Sequence, residues 1–446
     1  MTLDISLTGR HSPEPLLFAF DKKLGPHAGS QNAPPLSGQQ AQSVLQQRFT
    51  RSGHLGKRVI YIHIPFCRVR CTYCNFFQYA SKPEQISHYF KALKTELIAR
   101  ASTAWAQAAP FHAVYVGGGT PTDLNAEQIQ ELGRLIRQHF PLHNDCEITL
   151  EGRVHRFHER EFEAALAGGF NRFSFGVQSF NTKVRRAAKR LDDREVVIKR
   201  LQSFVAYDAA PICIDLLLGL PYIDPQIFQQ DLEDFTESGA HGVDLYQLIG
   251  MQGLPMHQLV EAGKLPAPST TVEKAKLYAQ GHKFLTDGQF RQLSTNHWAR
   301  DNRERSLYNS YAKTQAEVLP IGAGAGGNIS GFSYMQHRDI DTYVSSIEQG
   351  QIPSMMVIPA AENAALVCQI KAACDRGVID LRAIEACASK QLGQHSLALL
   401  KAWQKNGLVE PIGQQWVMTL AGQFWSVNLC QALIRHCENY LQRAAA

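Results

Sequence analysis

The chain predicts an α/β protein: a partial (β/α)6 TIM-like barrel, an N-terminal extension and a mostly helical, winged-helix-like C-terminal domain. Three observations predict it. From Val59 onward, short β-branched runs alternate with helical stretches, the pattern of βαβ units and a parallel sheet. Six such units lie before about residue 250, fewer than the eight of a closed barrel. Beyond about residue 360 the periodicity is helical, with a hairpin candidate at Val409–Thr419.

The strand candidates, in order, are Val59–Ile64, Ala113–Val116, Glu147–Leu150, Arg172–Gly176, Ile212–Leu218 and Val243–Ile249. Helical stretches over Glu84–Ala101, Ala126–Phe140, Glu159–Ala167 and Asp192–Val205 lie between them. The expected organisation is an extension over 1–57 that serves as a substrate cover, a barrel with its continuation over 58–355, and a helical domain over 356–446. Within the extension, Gln31–Gln40 is rich in Pro, Gln, Gly and Ser and reads as a linker.

At 446 residues, with 44% hydrophobic and 19% charged residues, the chain has ample material for a large core. No window reaches the ~18 apolar residues of a membrane span. The best candidate, Ile212–Leu220, is interrupted by Asp215. Asp4 and Arg10, with no apolar run beside them, argue against a secretory signal and predict a cytoplasmic protein. The net charge of +5 is not concentrated in one module, which argues against a nucleic-acid partner.

Three of the ten cysteines stand within eight residues, Cys67, Cys71 and Cys74, as C-x3-C-x2-C at the end of the first strand. The other seven are dispersed, as small buried hydrophobes are. Three thiolates can hold three irons of a cubane cluster and leave the fourth open to the amino and carboxylate groups of a small molecule. A zinc site with His63 as fourth ligand, or three structural cysteines, are the alternatives that spacing alone leaves open.

A cofactor in a barrel sits at the C-terminal strand ends, and polar or glycine residues recur there. Gly117-Gly-Gly-Thr120 follows the second strand, Glu151 the third and Gln178 the fourth. Asp215 lies inside the apolar fifth strand, where a carboxylate is costly without a partner. A tight turn at the glycines and a structurally satisfied Asp215 are the plainer readings. Arg190 ends the run Arg185-Arg-Ala-Ala-Lys-Arg, either as a carboxylate clamp or as part of a solvated helix face. Gly322–Gly327 matches G-x-G-x-x-G, but no helix follows, so the reading is close backbone approach to a second ligand or the substrate.

Tyr61-Ile-His-Ile-Pro-Phe-Cys with C-x3-C-x-Tyr-Cys, then GGGTPT, GlyValGlnSerPhe and IleAspLeuLeuLeuGlyLeuPro resemble the radical S-adenosylmethionine (SAM) superfamily. Their order, over roughly Val59 to Ile249, is that of the oxygen-independent coproporphyrinogen III oxidase-like enzymes. The resemblance implies a 4Fe–4S cluster on Cys67, Cys71 and Cys74. It implies SAM sites lined by Tyr61, Tyr73, Gly118, Gly119, Thr120, Glu151, Gln178, Arg190, Asp215 and Ile249, with two SAM molecules bound. The oxidases carry a further cysteine two residues after the third, where this chain has Phe76.

Phe18-Ala-Phe-Asp-Lys-Lys and His27-Ala-Gly, with the total length, are similar to the anaerobic haem-degrading radical SAM methyltransferases. That branch implies haem as substrate, methyl transfer that opens the macrocycle with release of iron, a flavodoxin-like or other low-potential electron donor and a carrier for haem or product. A haem chaperone and the oxidase itself are the alternatives. Phe18, Phe20, Lys22, Lys23, His27 and His63 are the residues of the type that haem needs, although solvated lysines and structural histidines are the commoner case.

Overall fold

The structure is a computed structural model that describes residues 4–25, 34–36, 38–52, 56–250 and 252–445. Six main strands, β1 (Arg58–Ile64), β2 (Phe111–Gly118), β3 (Leu142–Gly152), β4 (Arg172–Gln178), β5 (Ile212–Leu218) and β6 (Gly242–Gln247), pair in sequence order. Every pairing among them is parallel. The crossovers carry the helices α1 (Pro83–Ala101), α2 (Ala126–His139), α3 (Glu159–Gly168), α4 (Arg194–Ala206), α5 (Pro225–Ser238) and α6 (Thr271–Asp287).

The strands form where the sequence is apolar on both faces, as a sheet covered on both sides requires. β1 and β5 are each buried at every position but one, and the exceptions are Tyr61 and Asp215. Helix α2 starts at a capping box, Asn125 with Gln128, and buries Ile129, Leu132 and Ile136 along one stripe. β6 ends at Gln247, so Ile249, read as strand from the sequence, lies beyond it.

The same sheet extends on both sides of the six strands to a total of twelve. Glu317–Ile321 adds a further parallel strand beside β1, followed by antiparallel strands Gly326–Ile329, Phe332–Gln336 and Ser354–Pro359. His297–Ala299 runs antiparallel to β6 at the other side. Among the described residues no pairing joins the two edges, so the sheet stays open.

The C-terminal region is mostly helical, with the expected hairpin in place. Helix Ala364–Arg376, strand Val378–Asp380, helices Leu381–Cys387 and Lys390–Lys405 and hairpin Val409–Ile412/Gln415–Met418 follow in winged-helix order. Residues 4–25 lie against this region. The indole N–H of Trp403 donates to the Leu7 carbonyl at 2.8 Å, and that of Trp425 to the Pro15 and Leu16 carbonyls at 3.1 and 3.0 Å. Phe20 packs on Trp425 at 5.4 Å, and the Lys23 ammonium sits 4.2 Å over the Phe424 ring. Phe18 is exposed, and His27 lies outside the described residues. No described helix is long and apolar enough to cross a membrane.

Candidate active site at the strand ends

β1 delivers the chain through Pro65 into a loop closed by a short parallel pair, Phe66–Cys67 with Tyr79–Ala80. The loop holds the three cysteines, with Cys67 and Cys71 buried and Cys74 half-buried. Asp123 anchors it, accepting from the Arg68 backbone N–H at 2.8 Å, the Arg68 Nε at 3.2 Å and the Ser81 hydroxyl at 2.6 Å. Two sulfurs already accept hydrogen bonds. Thr120 Oγ1 donates to Cys67 Sγ at 3.2 Å, and the Phe76 N–H donates to Cys74 Sγ at 3.3 Å.

Among the described residues, the only three potential ligands whose atoms all lie within 4.8 Å of one another are Cys213, His297 and Glu304. Cys67, Cys71 and Cys74 are not such a group, which does not favour one tetrahedral zinc on the three. His63 does not join them. Its Nδ1 lies 3.0 Å from the Tyr61 hydroxyl, and its ring packs against Gly118. Burial, with Arg338 nearby, pushes its pKa down to about 4. Three thiols with N–H and O–H donors on their sulfurs fit a 4Fe–4S cluster.

The thiols differ in their surroundings. Burial raises Cys67 above the ordinary thiol value. Burial also works against the Cys71 thiolate, but Arg190, Arg153 and the Tyr73 hydroxyl outweigh it and hold Cys71 below its ordinary value.

The glycines after β2 close on this loop. Gly118 has φ +113°, and a Cβ there would stand 2.6 Å from the His63 ring. A Cβ on Gly119 would stand 2.5 Å from the Phe66 carbonyl oxygen. Glu151, at the end of β3, is raised to about 7 by burial, although the Gly118 N–H and the Tyr115 hydroxyl donate to it.

Around Gly176, on β4, three polar groups converge. A Cβ there would lie 2.7 Å from Gln178 Nε2, 3.2 Å from Arg190 Nη2 and 3.8 Å from Asp215 Oδ2. Gln178 holds a left-handed backbone, φ +73°, a strained state for a residue with a side chain. Arg190 Nη2 donates to the Tyr73 hydroxyl at 3.0 Å, and its Nε has no partner. Arg190 is buried, so the solvated-face reading fails for it. Burial, Asp244 and Glu151 push Asp215 well above the carboxylate range, and no described hydrogen bond reaches its carboxyl.

Tyr61, Tyr115, Glu151, Gly176 and Asp215, one from each of β1 to β5, are partly accessible and form a row along the strands. Tyr61 and Tyr115 are register partners and stack at 6.4 Å, and Tyr308 lies 4.9 Å from Tyr115. The structure thus brings together the three cysteines, Tyr73, Gly118, Gly119, Thr120, Glu151, Gln178, Arg190 and Asp215, with Tyr61 beside them. Ile249 is 46% exposed and has no described contact with this group. Tyr115, Tyr308, Arg153 and Asp123 escaped the sequence reading. Period-two alternation from Gly117 finds Tyr115, but no local signal finds Tyr308.

Gly322 and Gly327 stand against the protein's own chain. A Cβ on Gly322 would meet the Tyr89 hydroxyl at 2.5 Å and the His63 carbonyl at 2.6 Å, and one on Gly327 the Val318 carbonyl at 2.2 Å. Gly322 lets the edge of the sheet pack on α1 and β1, and Gly327 lets its strand pack on Glu317–Ile321.

The description of the radical SAM superfamily matches residues 61–235. An anaerobilin synthase from Escherichia coli is 37% identical over 402 residues, covering 90% of this chain and 89% of the relative. An oxygen-independent coproporphyrinogen III oxidase from Escherichia coli is 26% identical over 408 residues, covering 86% of each. The solved coproporphyrinogen III oxidase from Escherichia coli superposes with a TM-score of 0.74 at 23% identity, covering 89% of this chain and 93% of that one. That likeness shows the fold. The family implies a 4Fe–4S cluster and SAM, which the donor set fits. The chain belongs to the radical SAM superfamily, in its oxygen-independent coproporphyrinogen III oxidase-like family.

Proposed function

We propose that the chain degrades haem without oxygen, by radical SAM methyl transfer that opens the porphyrin to a linear tetrapyrrole and releases iron. The observation that carries the reading is 37% identity to an anaerobilin synthase over nine-tenths of the chain. Phe76, standing where the oxidases have a further cysteine, supports it against the decarboxylating alternative. When bound, the cluster and one SAM supply radical initiation, and a second SAM supplies the methyl group.

The chain's own residues bind and orient. Cys67, Cys71 and Cys74 hold three irons, and Thr120 and the Phe76 N–H fix two of the sulfurs. Gly118 and Gly119 carry backbone close to SAM, with Tyr61 and Tyr73 at its margins. Arg190, preset by Tyr73, pairs the SAM carboxylate, and Glu151 takes the amino group. Asp215 and Gln178 meet the ribose hydroxyls, which relieve the burial of the Asp215 carboxyl. The tyrosine row offers a flat, largely apolar wall to a macrocycle.

The test is an anaerobic assay with haem, SAM and a low-potential reductant. The reading expects loss of the haem Soret band, with 5′-deoxyadenosine, S-adenosylhomocysteine and a methylated open-chain tetrapyrrole by mass spectrometry. Haem that binds and persists beside an intact, reducible cluster rejects it in favour of a chaperone.

A further inference from the structure

The cysteine loop has a solvent side that the chemistry above leaves unused. Its text, Cys67-Arg-Val-Arg-Cys71, sets exposed Arg68 and Arg70 either side of Val69 between two of the thiols. Arg68, Val69, Arg153, His155, Lys189 and Leu191 line one depression, together with Gly176 and Arg190 of the SAM site.

This face is cationic beyond its counter-charges. Asp123 is taken by Arg68 at 3.2 Å, and Asp192 by His155 at 2.7 Å. Among the described residues no carboxylate pairs with Arg70, Arg153, Arg156 or Lys189, and Arg156 and Lys189 are exposed. Behind the rim, Arg185 is pushed down to about 10, by burial first and by the neighbouring Arg190 second. Two exposed apolar side chains accompany the cations, Leu191 (44% exposed) in the depression and Phe76 (71%) just after Cys74.

We propose that this face is the docking surface for an acidic electron-transfer protein that reduces the cluster. The inference rests on the reading that Cys67, Cys71 and Cys74 hold a 4Fe–4S cluster. Electron tunnelling falls steeply with distance, so a protein donor must seat over the cysteine loop, and this is the loop's solvent side. A few apolar residues ringed by charge match the small, transient interfaces of redox partners. Unpaired cations steer an acidic partner over long range. A nucleic acid would need a long cationic stripe with stacking aromatics, and this patch is one depression wide. The step is a single electron: the donor is oxidised, the cluster is reduced, and no atom or proton changes hands.

The test uses the full chain, reconstituted anaerobically, as wild type and as the double variant R156E/K189E, with R156Q/K189Q as a milder pair. The first readout is affinity for oxidised flavodoxin, an acidic protein. The second is bleaching of the cluster's visible absorbance by reduced flavodoxin and, separately, by dithionite, which needs no docking. The expected result is an affinity for flavodoxin lower by about tenfold, a matching fall in flavodoxin-driven bleaching, a shallower salt dependence and unchanged bleaching by dithionite. Unchanged flavodoxin affinity overturns the proposal, even if the variant loses binding to an RNA oligonucleotide. An equal fall with dithionite also overturns it, by placing these residues in the support of the cluster. A wild-type protein that dithionite cannot bleach defeats the cluster reading itself, and the proposal with it.

Discussion

At the starts of β4 to β6, charged side chains close on one another, whereas at the C-terminal ends of the sheet's parallel strands they stay largely open. At the starts, Arg172 donates to Glu304 through Nε at 3.0 and 3.1 Å and through Nη2 at 2.9 Å, and His297 Nδ1 lies 2.8 Å from Asp244. Burial opposes the Glu304 charge, but Arg172 and His297 outweigh it and bring its pKa to about 2. At the ends, Glu151 is raised to about 7, Asp215 stands well above the carboxylate range, and Arg190 Nε and His63 Nε2 have no partner. A buried polar group that finds partners within the chain stabilises the fold. One that does not costs stability, and is retained where a ligand completes it. The two ends of the strands divide accordingly, one for folding and one for chemistry.

The sharpest break in that contrast is Cys71→Ala. It should remove bound iron and turnover altogether, while thermal unfolding shifts by no more than ~3 °C, since the thiol carries no folding network. A large loss of stability in this variant would merge the two ends into one. Glu304→Gln is the converse. It strips Arg172 of its buried counter-charge, and urea unfolding should show a loss of about 3–5 kcal/mol with SAM affinity retained in the folded protein.

Smaller effects sharpen the account of the strand ends. Arg190→Lys keeps the charge but loses the planar fork held by Tyr73, so calorimetry should show SAM affinity reduced by about 2 kcal/mol, roughly thirtyfold. Glu151→Gln should act chiefly on pH dependence. Burial lifts this carboxyl from 4.5 to about 7, so its contribution to stability is present below pH 4.5 and lost as pH rises to about 7. The Gln variant lacks that loss. Its stability relative to wild type should therefore grow between these limits and level off above them, as denaturation at several pH values would show.

Most of the barrel was legible because its strands are buried on both faces and its helices are amphipathic, signals local to a few residues. Ile212–Leu218 emerges with the predicted bounds. The cysteines, the glycines after β2, Glu151, Gln178 and Asp215 were legible because they sit at or near strand ends, where position alone implies a role. The rest depends on distant pairings. Tyr308 and Glu304 enter the barrel from a connection after β6, and nothing near them in the chain announces it. The strands from Glu317 to Pro359 are short and one of them opens on two glycines, so their edge pairing overrides weak local preference. The packing of residues 4–25 on Trp403 and Trp425 involves partners about four hundred residues away. A periodicity argument has no access to such contacts.

The central claim is that the strand ends hold a 4Fe–4S cluster with one iron open to SAM. Its most direct test is iron, sulfide and zinc analysis of the anaerobically reconstituted chain, with electron paramagnetic resonance of the reduced protein before and after adding SAM. The account predicts about four irons and four sulfides per chain and a spectrum that SAM shifts. Zinc without sulfide, or a cluster spectrum indifferent to SAM, would contradict it.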